Sequence, residues 1–224
     1  MSKTAILVDG GFYQRRAKKL WGRKSPNERV DELHDYCIKH ITNKRNRKLE
    51  SGSRELYRIF YYDCPPLDDG RVKQPWSSHN TVFSKKNPNN KWMRDFQAEL
   101  ARRRKMAMRM GELNAKNAHY TLKDESLKKL LDGSILVSDL AETDFVLVGI
   151  KQTGVDMRIG LDVASMAAAG LVDQIVLVAG DSDFVPVAKA ARRAGIDFLV
   201  DPMGHHVSEE LVKQVDGVED LSRE

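Results

Sequence analysis

The chain has 224 residues, with 37 Lys and Arg against 32 Asp and Glu, and a formal net charge of +5 that says little by itself. This length can bury a sizeable core, so we expect a single domain over residues 1–224, with insertions at about 65–90 and 114–143. No apolar run could span a membrane, no secretory signal opens the chain and only two cysteines occur, which favours a cytoplasmic protein without a membrane partner.

The first part of the chain predicts two strands with helices between them. An apolar run at 4–8 ends at Asp9 and a Gly-Gly pair, which predicts a buried strand that leads through a tight turn into a helix. Apolar residues at helical spacing predict a second helix over 29–49. Aromatic and β-branched residues then predict a strand over 56–63, and several prolines predict a long loop over 65–90.

The middle of the chain is less regular. It predicts a helix over 91–104, a strand over 106–113 and a further strand over 144–152, which could pair with 106–113 as a hairpin. Residues 114–143 predict an insertion with one short helix. The insertion is compatible with either a dimer contact or a substrate lid, so the sequence leaves a homo-oligomer open.

The last third alternates helices with continuous apolar strands. The predicted elements are a helix over 156–170, a strand over 174–180, a helix over 186–195, a strand over 196–200 and a closing helix over 208–221. The apolar face predicted for the first of these helices carries Met157, Leu161, Ala164 and Ala168. Such an alternation predicts an α/β fold in which helices cover both faces of a mainly parallel sheet.

Acidic side chains occur where the predicted strands end. Asp9 ends the first strand, Asp181 and Asp183 follow the strand over 174–180, and Asp156 begins a helix. In open parallel α/β sheets, ligands bind at this edge. Packed carboxylates repel one another and lose hydration, and hard oxygen ligands favour Mg²⁺ or Mn²⁺. Any one of these acids could simply cap a helix, but four at one edge favour a metal site.

Several neighbouring residues are weaker candidates for the same site. Asp162 lies about 120° from Asp156 around an ideal helix, so it either supports the site or faces solvent. His205 and His206 have no Cys or His at metal-ligand spacing and are predicted to be surface residues. The residues that would bring backbone or a hydroxyl close to a ligand are Gly10, Gly11, Gly180 and Ser182.

Basic residues form three clusters along the chain. Each cluster alone could be a solvated helix face, but three clusters beside an acidic site favour a polyanionic ligand. The candidate nucleic-acid-binding residues are Arg15, Arg16, Lys44, Arg45, Arg47, Lys48, Arg102, Arg103 and Arg104.

Three segments together resemble a known family. The segments "ILVDGGFY" at 6–13, "KQTGVDMRIGLDVASMA" at 151–167 and "IVLVAGDSDFVPVAKAARRAGIDFLV" at 175–200 resemble the NYN domain family, in the LabA-like branch of the PIN-like nucleases. The resemblance implies a Rossmann-like, three-layer α/β/α sandwich with a mainly parallel sheet. It also implies an acidic pocket for Mg²⁺ or Mn²⁺ and metal-dependent endonuclease activity on single-stranded or structured RNA, in preference to DNA.

The family's acidic positions correspond to four residues of this chain. The catalytic and metal-binding acids implied by the resemblance are Asp9, Asp156, Asp181 and Asp183. Asp162 in "GLDV" is a fifth acid of the same kind, with a weaker case for direct contact to a metal.

Two hypotheses from different classes follow. The leading one is a metal-dependent endoribonuclease, and the other is a non-catalytic RNA-binding or regulatory module whose acids retain a structural ion. A phosphatase of the haloacid-dehalogenase type also carries late acids, but it needs two acids after the first strand, where this chain has only Asp9 in "VDGGF". A topoisomerase-primase site would need a Glu at that place.

Overall fold

The computed structural model describes residues 2–42, 54–68, 70–84 and 86–222. Its strands are β1 (Ser2–Asp9), β2 (Arg54–Asp63), β3 (Arg71–Lys73), β4 (Asn80–Val82), β5 (Met106–Met110), β6 (Glu112–Asn114), β7 (His119–Leu122), β8 (Phe145–Val148), β9 (Lys151–Thr153), β10 (Gln174–Val178), β11 (Asp197–Asp201) and β12 (Gly217–Val218). Its helices are α1 (Gly10–Trp21), α2 (Pro26–Thr42), α3 (Pro88–Ala101), α4 (Asp124–Leu131), α5 (Val155–Ala168), α6 (Val185–Arg193) and α7 (Glu209–Val212).

A six-stranded parallel sheet forms the centre of the structure, in the strand order β12-β11-β10-β1-β2-β5. Every residue of β10 and the stretch of β1 from Thr4 to Val8 are buried. Such continuous burial is expected of parallel strands that helices cover on both faces. The predicted mainly parallel sheet is therefore confirmed.

Helices pack on both faces of this sheet. On one face, α1, α2 and α3 surround Val8 and Tyr61, and on the other face α5, α6 and α7 surround Leu7 and Phe60. Successive side chains of a strand point to opposite faces, which is why neighbouring residues belong to different cores. The three-layer α/β/α fold is thus confirmed. Within the part of the chain described, no helix is long and apolar enough to cross a membrane.

The buried face of α5 differs from the prediction. Met157 and Leu161 are 71% and 63% exposed, and Ala164 and Ala168 are exposed as well. The side chains that pack on the sheet are Val155, Ile159, Val163 and Met166. Both sets have helical spacing because this helix is apolar on two sides, so periodicity alone could not choose between them.

The predicted strand over 106–113 is two strands in different sheets. Residues 106–110 form β5, which pairs with β2 in the central sheet, whereas β6 pairs with β9 in a separate antiparallel ribbon. The predicted hairpin between 106–113 and 144–152 is therefore restricted to this ribbon. Gly111 lies at the break, where an added Cβ atom would be 2.6 Å from the Thr153 carbonyl oxygen.

Two further predictions need correction at the ends of elements. The closing helix over 208–221 is only the four residues of α7, after which β12 joins the sheet beside β11. The Asp216 carboxylate accepts a hydrogen bond of 2.8 Å from the Phe198 amide and so draws this segment onto the sheet edge. The predicted helix over 29–49 corresponds to α2, and residues 43–53 lie outside the described part of the chain.

The two insertions pack on each other to form an arm, which we define as residues 71–82 and 112–153. The predicted loop over 65–90 contains the β3–β4 hairpin, and β7 pairs with β8. The Trp76 ring lies 4.7 Å from Tyr120 and 5.1 Å from Phe145, measured between ring centroids. Because the arm follows the ends of β2 and β5, it leaves the sheet at the same edge as the predicted acidic site.

Candidate functional site

Asp9 and Asp181 meet at the carboxyl edge of the two central strands. Val8 pairs with Val178 in the parallel register, so the residues that follow β1 and β10 emerge side by side. The Asp9 Oδ1 atom accepts a hydrogen bond of 3.0 Å from the Phe12 amide and caps α1. Asp181 Oδ1 accepts one of 3.1 Å from the Asp183 amide. Each cap uses one carboxylate oxygen, and Oδ2 has no hydrogen-bond partner among the described residues.

Two clefts share these carboxylates. The first, which we call the acidic cleft, has a volume of about 340 Å³ and is lined by Asp9, Asp156, Asp181, Arg15 and Gln152, among others. The second, which we call the histidine cleft, has a volume of about 550 Å³ and shares Asp9, Asp181 and Arg15; its other lining residues include Ser182, His205 and His206. The two clefts together form one groove across the carboxyl edge, with Arg15 between them.

The carboxylates of the acidic cleft oppose one another electrostatically. Burial is the main cause that raises the pKa of Asp9 above its ordinary value, and the charges of Asp156 and Asp63 raise it further. The Phe12 amide and the Arg15 guanidinium act in the opposite direction but do not cancel this rise. Asp9 is therefore a carboxylate whose charged form is penalised and which a nearby cation would stabilise.

Asp156 has the same character, although its side chain is more exposed. Partial burial raises its pKa, and the charges of Asp181 and then Asp183 add to that rise. Asp183 lines neither cleft, so its effect on the site is through its charge. The structure thus brings together Asp9, Asp156 and Asp181 in one cleft. Asp183 lies outside that cleft but near enough for its charge to raise the pKa of Asp156.

Asp162 is held away from this group. Its Oδ2 atom accepts hydrogen bonds of 2.8 Å from the Tyr62 hydroxyl and 2.8 Å from Arg109 Nε. It lines a separate cleft of about 400 Å³, together with Arg109 and Arg158. Its carboxylate is therefore already paired with a cation, in contrast to Asp9 and Asp156.

Asp63 is a further acid at this edge that the sequence reasoning missed. It ends β2 beside β1, is 4% exposed, and accepts hydrogen bonds from the Tyr61 hydroxyl and the Cys64 amide. Burial raises its pKa, and its charge in turn raises that of Asp9. The signal was present in the sequence, because Asp63 ends an apolar strand just as Asp9 does.

The three candidate glycines contribute by allowing close packing. A Cβ atom on Gly10 would lie 2.7 Å from the Tyr62 carbonyl oxygen, and one on Gly180 would lie 2.7 Å from Phe12 Cε2. At Gly11, an added Cβ atom would be 3.4 Å from Gln152 Oε1. Small residues at these places let β1, β10 and the arm converge on the groove.

Arg15 and Arg16 are neighbours in sequence but have different surroundings. Arg15 is exposed, lines both clefts and lowers the pKa of Asp9 through its charge. Arg16 is 9% exposed, and its Nε and Nη2 atoms donate hydrogen bonds of 3.0 and 2.6 Å to the Met203 carbonyl. Arg15 is therefore free to contact an anion, while Arg16 holds the loop after β11.

The cluster of Arg102, Arg103 and Arg104 lies at the opposite edge of the sheet. These residues follow α3 and precede β5, whose first residues pair near the middle of β2, so they belong to the amino edge. With five residues in β5 and a rise of about 3.3 Å per residue, the two edges are roughly 17 Å apart. The expectation that this cluster lies beside the acidic site is therefore wrong. Lys44, Arg45, Arg47 and Lys48 fall outside the described residues.

The donor chemistry of the acidic cleft suits a hydrated hard cation. Within the described residues, no three His, Cys, Asp or Glu side chains form a group that could hold a metal ion. Mg²⁺ keeps several of its waters and usually binds only one or two carboxylates directly, so it does not require such a group. Asp9, Asp156 and Asp181 fit that mode because they are oxygen ligands whose mutual repulsion a cation would relieve.

A comparison with protein families supports the assignment of the fold. A family model described as the NYN domain matches residues 86–222, more than half of the chain. The match includes Asp156, Asp181 and Asp183 but begins after Asp9. A search of curated proteins finds no match. Among solved structures, the chain is similar to a protein of unknown function from Vibrio parahaemolyticus, with 14% identity, coverage of 98% of this chain and 93% of that chain, and a TM-score of 0.47.

Proposed function

The chain belongs to the NYN domain family, which has a nuclease-like fold, and we propose that it is a metal-dependent endoribonuclease that hydrolyses RNA phosphodiester bonds. We further propose that it belongs to the LabA-like branch of the PIN-like nucleases. Its substrate is single-stranded or structured RNA, in preference to DNA. The reaction takes place in the groove at the carboxyl edge of the sheet.

One observation carries this proposal: three carboxylates from separate segments line one cleft. Asp9 comes from β1, Asp156 from α5 and Asp181 from the turn after β10, and the charge of Asp156 raises the pKa of Asp9. Such an arrangement lowers the stability of the folded protein unless a cation or another function compensates for it. The carboxylates therefore favour a role in binding a divalent ion, Mg²⁺ or Mn²⁺.

Different residues of the groove bind the ion and the substrate. Asp9 and Asp181 hold their carboxylates rigidly, because each is fixed by a hydrogen bond from a nearby amide. A divalent ion held by Asp9, Asp156 and Asp181 would supply Lewis acidity toward the phosphate and a more acidic bound water. Arg15 lies between the two clefts, where its guanidinium can contact a phosphate oxygen in bidentate fashion.

The alternative is a non-catalytic RNA-binding or regulatory module that keeps a structural ion. It uses the same carboxylates, so geometry alone does not separate the two functions. The experiment is incubation of labelled single-stranded RNA with the purified protein and Mg²⁺ or Mn²⁺. We expect cleavage within the RNA, and a loss of about 100-fold or more for Asp181→Asn or Asp156→Asn, since metal-assisted charge stabilisation contributes several kcal/mol.

A matched control is Asp35→Asn on α2, which removes a carboxylate that is 80% exposed. It should cleave like the wild type. If the RNA stayed intact with every metal while binding persisted, the binding module would be the correct function. Equal cleavage by the wild type and Asp181→Asn would mean that a contaminating nuclease is responsible.

A further inference from the structure

The loop between β11 and α7 carries two adjacent exposed histidines, His205 and His206, beside the carboxylates of the groove. Both line the histidine cleft together with Asp9, Asp181 and Ser182. Sequence reasoning predicted only that they are surface residues. Their position in the same groove as the acidic cleft would let them contact a ligand that also reaches Asp9 and Asp181.

Buried hydrogen bonds fix the backbone of the loop that carries these histidines. Hydrogen bonds hold the backbone of the buried residue Met203 at both its amide and its carbonyl: the amide donates to Asp201 Oδ1 at 2.8 Å, and the carbonyl accepts from Arg16 at 3.0 and 2.6 Å. Met203 also has a positive φ of 47°, a conformation that is uncommon for a residue other than glycine. The chain therefore keeps an unfavourable backbone conformation to hold the loop in this position.

Hydrogen bonds also orient the first of the two imidazoles. His205 Nδ1 lies 2.9 Å from the His206 carbonyl oxygen, which can only accept, so Nδ1 carries the proton. The Nε2 atom of neutral His205 is then left as an acceptor. The His205 ring also packs edge-on against Phe12, with 6.1 Å between the ring centroids. The ring thus has a fixed position, with one nitrogen still free to bind a ligand.

We propose that the histidine cleft is the subsite for the nucleotide next to the scissile phosphate. In this subsite, His205 and His206 contact the base and ribose, and Ser182 and Arg15 contact the phosphate. This inference rests on the proposed nuclease function. It assigns one role to each cleft of the groove: the acidic cleft binds the ion and the reacting phosphate, and the histidine cleft binds the flanking nucleotide.

The chemistry and the size of the cleft fit a nucleotide. Its volume of about 550 Å³ lies within the range of roughly 300–1,000 Å³ that is usual for small-ligand sites. Imidazole rings stack on bases, and single-stranded RNA is recognised mainly by stacking and by hydrogen bonds to exposed base edges. The serine hydroxyl and the guanidinium are ordinary partners of sugar and phosphate oxygens.

The first test uses nucleoside 5′-monophosphates, which resemble one nucleotide of the strand and contain no phosphodiester bond to cleave. Their Kd is measured by calorimetry with Mg²⁺ present, for the wild type, His206→Ala and the double variant His205→Ala/His206→Ala. We expect the Kd of the double variant to rise about tenfold, as for the loss of one or two hydrogen bonds or stacking contacts.

His119→Ala is the matched control. His119 is an exposed histidine on β7 in the arm, and its Nδ1 atom lies 2.8 Å from a backbone carbonyl, as in His205. Its replacement should leave the Kd unchanged. The His206 side chain has no hydrogen bond among the described residues, so His206→Ala reports on binding without a change in the packing of the loop.

The second test uses single-stranded RNA and separates this inference from the proposed function. If the RNA is cleaved, the double variant should raise KM about tenfold with kcat little changed, since it removes binding and not chemistry. If the RNA is not cleaved, the nuclease function fails and no phosphate is scissile, but a Kd for intact RNA that rises in the double variant still supports the histidine cleft as the site that binds one nucleotide of the strand. Unchanged affinity for RNA and for mononucleotides would overturn the subsite and leave the nuclease function standing. If the double variant bound mononucleotides more weakly but RNA as tightly as the wild type does, the subsite would also be overturned, because the cleft would then bind free nucleotides and not the RNA strand.

Discussion

Replacement of His40 tests how the protein holds the loop that borders the groove. His40 Nε2 lies 2.8 Å from Asp201 Oδ2, and Nδ1 lies 3.2 Å from Glu219 Oε2. The side chains of His40 and Asp201 are fully buried, and that of Glu219 is 9% exposed. Burial lowers the pKa of His40, but the hydrogen bonds and charges of the two carboxylates outweigh it and raise the pKa to about 9. At neutral pH, His40 is thus a buried cation between two carboxylates.

The His40→Ala variant removes the cation of the fully buried His40–Asp201 pair and leaves the Asp201 carboxylate without it. Removal of one partner from a buried ion pair costs about 3–5 kcal/mol, and each kcal/mol lowers the Tm of a domain of this size by about 2–4 °C. The expected decrease in Tm is therefore about 6–20 °C. The control His34→Ala removes a partly exposed histidine 3.7 Å from the exposed Asp35, a surface contact that contributes about 0–1 kcal/mol.

The pH dependence of Tm adds a second readout. Since the pKa of His40 is raised in the folded state, its contribution is complete below about pH 6.5, the ordinary value, and is lost as the pH rises through about 9. A shift of this size corresponds to on the order of 3 kcal/mol. Differential scanning fluorimetry should show that the wild type loses this stability between pH 6.5 and 9 and that His40→Ala does not. A Tm of His40→Ala within 2 °C of His34→Ala, or equal pH profiles, would refute the reasoning.

Three further predictions concern the groove. Because the pKa of Asp156 is raised, Asp156→Asn should not lower the Tm at pH 7 without metal, and it should reduce the Tm increase that Mn²⁺ gives the wild type, both measured by calorimetry. Gly180→Ala would place a Cβ atom 2.7 Å from Phe12 Cε2, so we expect a Tm lower by several degrees and weaker metal binding. Arg15→Ala should raise the Kd for RNA about tenfold and reduce its salt dependence, whereas Arg104→Ala at the amino edge should change neither; equal effects would contradict the assignment of edges.

The sequence was informative where strands are fully buried. The apolar runs of β1 and β10 are continuous, and each is followed within three residues by an acid, which is enough to predict that Asp9 and Asp181 lie at one edge of a parallel sheet. The structure brings Asp156 to the same cleft. Their role in metal binding and catalysis stays a prediction until it is tested.

Other features depend on which strands are neighbours, and local sequence does not contain that information. The helix α5 has two apolar sides, so whether Val155 or Met157 faces the sheet depends on the packing of the whole layer. The tail predicted as a helix ends early because β12 can pair with β11, a contact between distant residues. The position of Arg102 could have been predicted, since a residue that precedes a parallel strand lies at the amino edge.

The two edges of the sheet differ in charge, and this difference constrains how an RNA can bind. The acidic cleft contains Asp9, Asp156 and Asp181 but only one cation, Arg15, among the residues that define it. The amino edge instead carries the arginines after α3 and the surface formed by Lys189, Arg192 and Arg193. The net charge of +5 therefore does not describe the groove, where a phosphate would meet repulsion. A divalent ion that neutralises the carboxylates would remove this repulsion, so metal and RNA should each increase the affinity of the protein for the other.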